Sequence, residues 1–175
     1  RKVKIQFWSQ KKRSLFTRNY IFSQHKSAIR MVYPLYEPEA VKYEIIGGMV
    51  IMPLTLNYIY ETENPELYET YKHEKNCQTP VLIIANILKG SMLYRDNLVK
   101  NGSILKEVNG VPVKTIPEFR DACQKCKTRN GELFLYITTK CQHICLLNVR
   151  NILSEEPELQ QVYRYKPSSL LPILM

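Results

Sequence analysis

"ILKEVNGVPVKTIPEFRDACQK", residues 104–125, carries three local signals in a row. Residues 103–110 carry Ile104, Leu105 and Val108 and end in Asn109-Gly110, the strongest two-residue hairpin signal. They read as a strand that turns back into a short return strand, Val111-Pro112-Val113-Lys114. Thr115 and Glu118 then have the spacing of a capping box, and Pro117 sits in the first helical turn, where no intrahelical N–H bond is lost. Ile116, Phe119, Ala122, Cys123 and Cys126 recur at helical spacing, which predicts a helix with one apolar side. Asn130-Gly131 is expected to end that helix.

Working outward, "VLIIANIL" (81–88) reads as a buried strand, and "KGSMLYRDNLVKNG" (89–102) as a turn, a short helix and a second turn. Downstream, "ELFLYITTK" (132–140) and "HICLLNV" (143–149) read as strands paired through a turn near Lys140. The polar, Tyr-rich stretch 57–80 predicts a short helix plus loop, bounded by Pro80. Residues 45–52 read as a strand entered through Gly47-Gly48. Residues 3–8 and 19–22 read as partners across the polar turn "SQKKRS". The stretch 27–43, rich in Pro and Tyr, reads as an extended connector, and 151–175 as a helical stretch followed by a Pro-broken apolar end. This order predicts an α+β, mainly β fold: a small, partly open β-barrel or sandwich capped by two helices.

Composition narrows the functional classes. The chain of 175 residues is 45% hydrophobic and 23% charged, enough to bury a sizeable core. No apolar run approaches the ~20 residues of a membrane span, and the N-terminus has no signal-peptide core. It opens on strand-like residues without a Met, so the chain is expected to begin inside a longer polypeptide. The net charge of +9 is local: residues 1–30 hold nine Lys/Arg and no acid, whereas the remainder holds sixteen of each sign. That segment reads as a solvated hairpin or as a polyanion-binding arm. Five cysteines without a secretory signal suggest free thiols in an intracellular, reducing compartment such as cytoplasm, nucleus or organelle, not secretion.

Over residues 44–150 the order of signals resembles a PDZ domain of the kind found at the C-terminal end of Deg/HtrA (DegP-like) serine proteases. "GGMVIMPLT" resembles the family's Gly-rich carboxylate-binding loop and following strand. "VLIIANILKGSMLYRDNL" is similar to the strand, Gly-Ser turn and short helix, and the stretch quoted first to the strand, Asn-Gly turn and groove-lining helix. With the connector and tail, the resemblance is to the second PDZ domain of plant- and protist-type Deg proteases, and it extends over almost the whole chain. It implies that residues 1–26 are the closing strands of a preceding, first PDZ-like domain, 27–43 a connector, 44–150 the PDZ-like domain and 151–175 a C-terminal tail. The chain departs from the family in Ser103, where Asp is usual, and in a longer, more acidic 57–80 loop.

The resemblance also offers a reason for the double glycine. Successive N–H groups of a PDZ loop hold a carboxylate, and glycine lets the backbone approach a ligand at positive φ. Gly47, Gly48, Met49 and Val50 would supply those amides. A peptide or a neighbouring subunit's segment would add as a strand beside Val50, Ile51 and Met52 and meet Phe119, Arg120 and Cys123 on the helix. The other reading is that the glycines only turn a corner.

Catalytic signals do not accompany this pattern. Ser91 and Ser103 follow glycines but lie in no nucleophile elbow, and no Gly-Asn-Ser-Gly-Gly loop is present. His25, His73 and His143 stand in polar settings, and Cys123 has no oxyanion-hole signature beside it. Cys123 and Cys126 with Cys141, His143 and Cys145 have a spacing that zinc could use, but small core residues explain them equally. No catalytic residue, metal or other cofactor is expected. The expected function is a non-catalytic PDZ module of a serine endopeptidase in protein quality control, its hydrolase domain lying upstream. The module would serve substrate capture, regulation or oligomer assembly by strand addition at Gly47–Met52. The expected partners are a peptide, an unfolded-protein substrate or a neighbouring subunit in a homo-oligomer. The alternative is a free-standing scaffold whose basic arm binds nucleic acid or another polyanion.

Overall fold

A computed structural model describes residues 2–21, 27–33 and 41–174. Two strands, β1 (Lys2–Ser9) and β2 (Ser14–Ile21), form a hairpin by themselves. The turn is the expected polar one, with Ser9 opposite Ser14 and Phe7 opposite Phe16. The rings of Phe7 and Phe16 stack at 6.0 Å. His25 and the Pro-containing part of the connector, 34–40, lie outside the described residues.

The remaining strands make one antiparallel, strongly curled sheet. Its members are β3 (Glu44–Ile46), β4 (Met49–Pro53), β5 (Leu82–Ile87), β6 (Ser103–Val108), β9 (Glu132–Thr139) and β10 (Ile144–Asn148), in the spatial order β10-β9-β6-β5-β4-β3. Two short strands attach to it: β7 (Val111–Pro112) pairs with β6, and β8 (Lys127–Arg129) with β9. Bulges at Val50/Ile51 and Leu105/Glu107 shift the register, and such bulges bend and twist a sheet. The result is the expected mainly β, half-barrel α+β fold.

Helices cap the curl. The helix α4 (Ile116–Cys123) begins where its spacing predicts: the Thr115 side chain accepts from the Glu118 N–H, and the Glu118 carboxylate accepts from the Thr115 N–H at 3.2 Å. Ile116, Phe119, Ala122 and Cys123 form its buried stripe. They share one core with Ile46, Met49 and Ile51 of the β3–β4 end and Leu135 and Ile137 of β9. Burying Phe119 completely makes it a principal anchor of this core.

Three differences from the expected elements have local reasons. α4 stops at Cys123, because Lys127–Arg129 leaves the helix to pair with β9, so Asn130-Gly131 closes a hairpin. Its positive φ values, +53° and +79°, suit a type I′ turn as well as a helix end. The 57–80 stretch holds more helix than expected: α1 (Leu56–Glu61), α2 (Pro65–Tyr71) and a 3₁₀ turn, Glu74–Gln78. Asn64 caps α2 by accepting from the Glu66 and Leu67 N–H groups, and Ile59, Leu67 and Tyr71 bury a second, smaller core with Ile29, Leu54 and Ile83. Besides the short α3 (Met92–Asp96), the tail forms α5 (Val149–Tyr163) and a short α6 (Leu171–Leu174). α5 packs Leu159 against Ile45 and Leu88, while Ile152 and Leu170 enter the main core.

Candidate segment-binding groove

The two glycines form the turn of a tight hairpin. Gly47 and Gly48 have φ of +55° and +79°, the positive values a two-residue type I′ turn requires at both positions. β3 therefore folds straight back along β4, with Ile46 opposite Met49, Ile45 opposite Val50 and Glu44 opposite Ile51. The other margin of β4 pairs with β5. Strand addition beside β4 is thus an arrangement the chain already makes, with its own residues 44–46 as the added strand.

The turn is locked from both sides. A Cβ on Gly48 would lie 2.3 Å from Ser91 Cβ, and one on Gly47 would lie 3.3 Å from Ile152 Cγ1. The Gly48 carbonyl accepts from the Leu88 N–H at 2.8 Å. Ser91 is itself committed: its hydroxyl donates to the Leu88 carbonyl at 2.8 Å and accepts from the Tyr94 N–H at 3.2 Å, capping α3. Neither Ser91 nor its surroundings resemble a nucleophile awaiting a base.

β3 faces α4. Its inward residues alternate as Glu44 and Ile46, and Glu44 is only 4% exposed. The Arg120 guanidinium on α4 donates to Glu44 Oε1. Ser168 of the tail donates to Oε2 at 2.6 Å, and the Leu170 N–H donates to the Ser168 hydroxyl at 3.1 Å. A buried carboxylate is tolerated only with such partners, because isolated burial of the charge costs several kcal/mol. Three distant pieces of chain, 44, 120 and 168, converge on one carboxylate.

Each expected site residue can now be placed. Met49 and Ile51 point into the core, while Val50 and Met52 are partly buried on the opposite face. Phe119 and Cys123 are fully buried in the core that also holds Ile46, Met49 and Ile51, and Arg120 is occupied by Glu44. Met49, Val50 and Ile51 pair with β3 and Arg120 bonds to Glu44, whereas Met52 pairs with Ile83 and packs on the second, smaller core. Glu44 and Ser168 were not anticipated, because nothing local marks residues whose partners lie 76 and 124 positions away. A sequence signal for the hairpin did exist: Gly-Gly between two β-branched runs is a type I′ pattern.

The remaining candidates occupy structural places. Burial pushes the Cys123 thiol far up from its ordinary range, with the neighbouring Cys126 and Glu44 adding to the shift. A thiol held protonated is a poor nucleophile. Burial, with Asp96 nearby, pushes Cys145 up to about 11. Cys126 lies beyond the end of α4 and donates to the Cys123 carbonyl at 3.1 Å. No group of three His, Cys, Asp or Glu able to hold a metal ion occurs among the described residues. The His143 N–H donates to Thr139 Oγ1 at 3.2 Å, which ties the β9–β10 turn.

Asn109 does more than turn the chain. It is buried, its amide donates to the Ala122 carbonyl at 2.9 Å, and its Oδ1 accepts from the Tyr136 N–H at 2.9 Å. It thereby fastens the end of α4 and β9 to the β6–β7 turn.

Comparison with known families gives one match: the sequence model described as a PDZ domain (PDZ_3) fits residues 34–168. That range begins before residue 44 and runs beyond residue 150, into the part of the tail that packs on β3. No curated protein matches the chain. No helix among the described residues is long and apolar enough to cross a membrane.

Proposed function

Because the chain belongs to the PDZ domain family, we propose that it is a protein-interaction module whose strand-addition groove serves regulation or oligomer assembly within a Deg/HtrA-type serine endopeptidase. The observation that carries this reading is β3 itself. An extended segment lies antiparallel to residues 49–51 on the side that faces α4, anchored by Glu44 on Arg120. A segment from another chain would enter this position by displacing β3, and the high effective concentration of a covalently attached strand disfavours casual exchange with free peptides. Assembly or regulation by a tethered segment therefore suits the geometry better than capture of a free C-terminus.

The link to a Deg/HtrA protease rests on the sequence resemblance, with the catalytic triad assigned to residues upstream of Arg1. The β1–β2 hairpin supports it physically. Ile5, Phe7, Trp8 and Leu15 are all exposed, and a two-stranded hairpin has little stability alone. Closing a preceding domain would bury those side chains.

Two measurements test the proposal. The first is the upstream coding sequence, which should encode His, Asp and a Gly-Asn-Ser-Gly-Gly loop. The second is the solution mass and peptide affinity of the chain with Arg120→Ala, which frees β3. Loosening β3 should change oligomeric state or raise affinity for an extended peptide. If both stay unchanged in a folded variant, the groove has no role beyond the core. Steep, salt-dependent nucleic-acid binding that is lost on deleting residues 1–30 would favour the polyanion-binding scaffold instead.

A further inference from the structure

We propose that a second surface, which reaches the end of β4 and the start of α4 only at its margin, docks an acidic, extended polypeptide segment. Its centre is a hollow of about 520 Å³ between the 3₁₀ turn Glu74–Gln78, β6 and β7. Lys75, Lys106, Lys114 and Lys140 stand around it. Two further hollows adjoin. One of about 470 Å³ shares Lys140 and adds Lys100, and one of about 310 Å³ shares Lys114 and adds Lys42. The shared lysines sit at the junctions, so the three hollows form one continuous track.

The charge on this track is not a sampling of the surface. Beyond residue 30 the chain has sixteen Lys/Arg and sixteen Asp/Glu, yet six of those lysines and only two of those acids, Glu66 and Glu107, line the three hollows. Glu107 is bonded to Lys106 at 3.0 Å. All six lysines are exposed. Lys140 lies over the ring of Tyr71, 6.0 Å from its centre.

The walls between the lysines choose the class of partner. Ile104, Val81 and Pro112 give the central hollow an apolar lining under a cationic rim. An extended segment that alternates carboxylates with aliphatic side chains satisfies both. A single-stranded nucleic acid would need aromatic faces on which to stack bases. The one aromatic lining residue, Tyr71, is 4% exposed and offers none.

Fluorescence anisotropy with the full chain and a fluorescein-labelled peptide of alternating Glu and Leu tests the assignment. Binding should weaken with added salt. The variant Lys114→Glu/Lys140→Glu should weaken it by roughly tenfold or more, because reversed charge at a complementary surface is strongly unfavourable. The milder Lys75→Gln/Lys106→Gln should weaken it less. The hairpin variant Lys11→Glu/Lys12→Glu should leave it unchanged. Absence of peptide binding at low salt overturns the proposal. So does an equal loss in the hairpin variant, or tighter binding of single-stranded DNA through the same cavity lysines. A doubling of solution mass that Lys114→Glu/Lys140→Glu abolishes would assign the surface to a second copy of the chain, and would likewise overturn it.

Discussion

Arg120 on the helix α4 neutralises Glu44 on the edge strand β3, across 76 positions of sequence. The pair joins β3 to α4, and the carboxylate is buried while the arginine side chain is 43% exposed. Its removal is therefore asymmetric. Losing the cation strands a buried charge, whereas losing the acid leaves an arginine that water can reach.

Arg120→Ala is accordingly expected to destabilise the chain by about 2 kcal/mol, the scale of a hydrogen bond to a charged group in a partly solvated site. Urea unfolding measures it. Hydrogen exchange of the Glu44 and Ile46 amides, which bond to β4, should accelerate more than that of β9, because the pair holds β3 locally. Glu44→Gln, which keeps a donor and acceptor for Ser168 and Arg120, should cost less than Arg120→Ala.

Two glycines separate strain from space. Gly131 has φ +79° with nothing within 4 Å of a would-be Cβ, whereas Gly48 has the same φ with Ser91 at 2.3 Å. Gly131→Ala should cost about 1 kcal/mol from the left-handed backbone alone. Gly48→Ala should cost about 3 kcal/mol, since overpacking adds to that strain. Ser91→Gly in the Gly48→Ala background should recover part of the loss, offset by the lost cap of α3. Thermal melts of the three variants decide it, and equal costs at the two glycines would refute the packing argument.

The two Asn-Gly turns make a similar pair. Asn109 and Asn130 both have φ +53°, but only Asn109 is buried and bonded to Ala122 and Tyr136. Asn109→Ala should cost about 2 kcal/mol, because it leaves the part-buried Tyr136 N–H without its partner and removes a bond to the Ala122 carbonyl, which keeps the Lys125 N–H. Asn130→Ala should cost well under half of that. Chemical denaturation of both variants provides the comparison.

The thiols predict a pH dependence. Burial, with Asp96 nearby, pushes the Cys145 thiol up to about 11 in the folded chain, whereas unfolding returns it to its ordinary value of 9.0. Between these values the unfolded state binds fewer protons than the folded one, so stability falls as pH rises, by up to roughly 1.4 kcal/mol per pH unit. Below about pH 9 this contribution is fully present. Cys145→Ala should flatten the decline in urea midpoint between pH 9 and 11. In the folded chain an alkylating reagent at pH 8 should modify exposed Cys141 first and reach Cys123 and Cys145 only on unfolding.

Much of this architecture was legible from neighbouring residues. Thr115 and Glu118 announced the start of α4, the apolar run at 81–88 announced β5, and Asn109-Gly110 announced the β6–β7 turn, since each signal and its consequence lie within a few positions. Of the candidate site, the Gly47-Gly48 turn stood out locally, whereas β3, which pairs with β4 and carries Glu44, appeared in the sequence only as the lead-in to a single strand through 45–52.

The order of elements and the positive-φ pairs were encoded locally, because steric limits on φ and side-chain spacing act over one turn of chain. Whether a positive-φ pair ends a helix or reverses a strand was not, since Asn130-Gly131 and Gly47-Gly48 can do either. That choice fell to pairing with β9 and β4 and to burial of Glu44 between Arg120 and Ser168. Those energies exist only when residues far apart in the chain are held side by side.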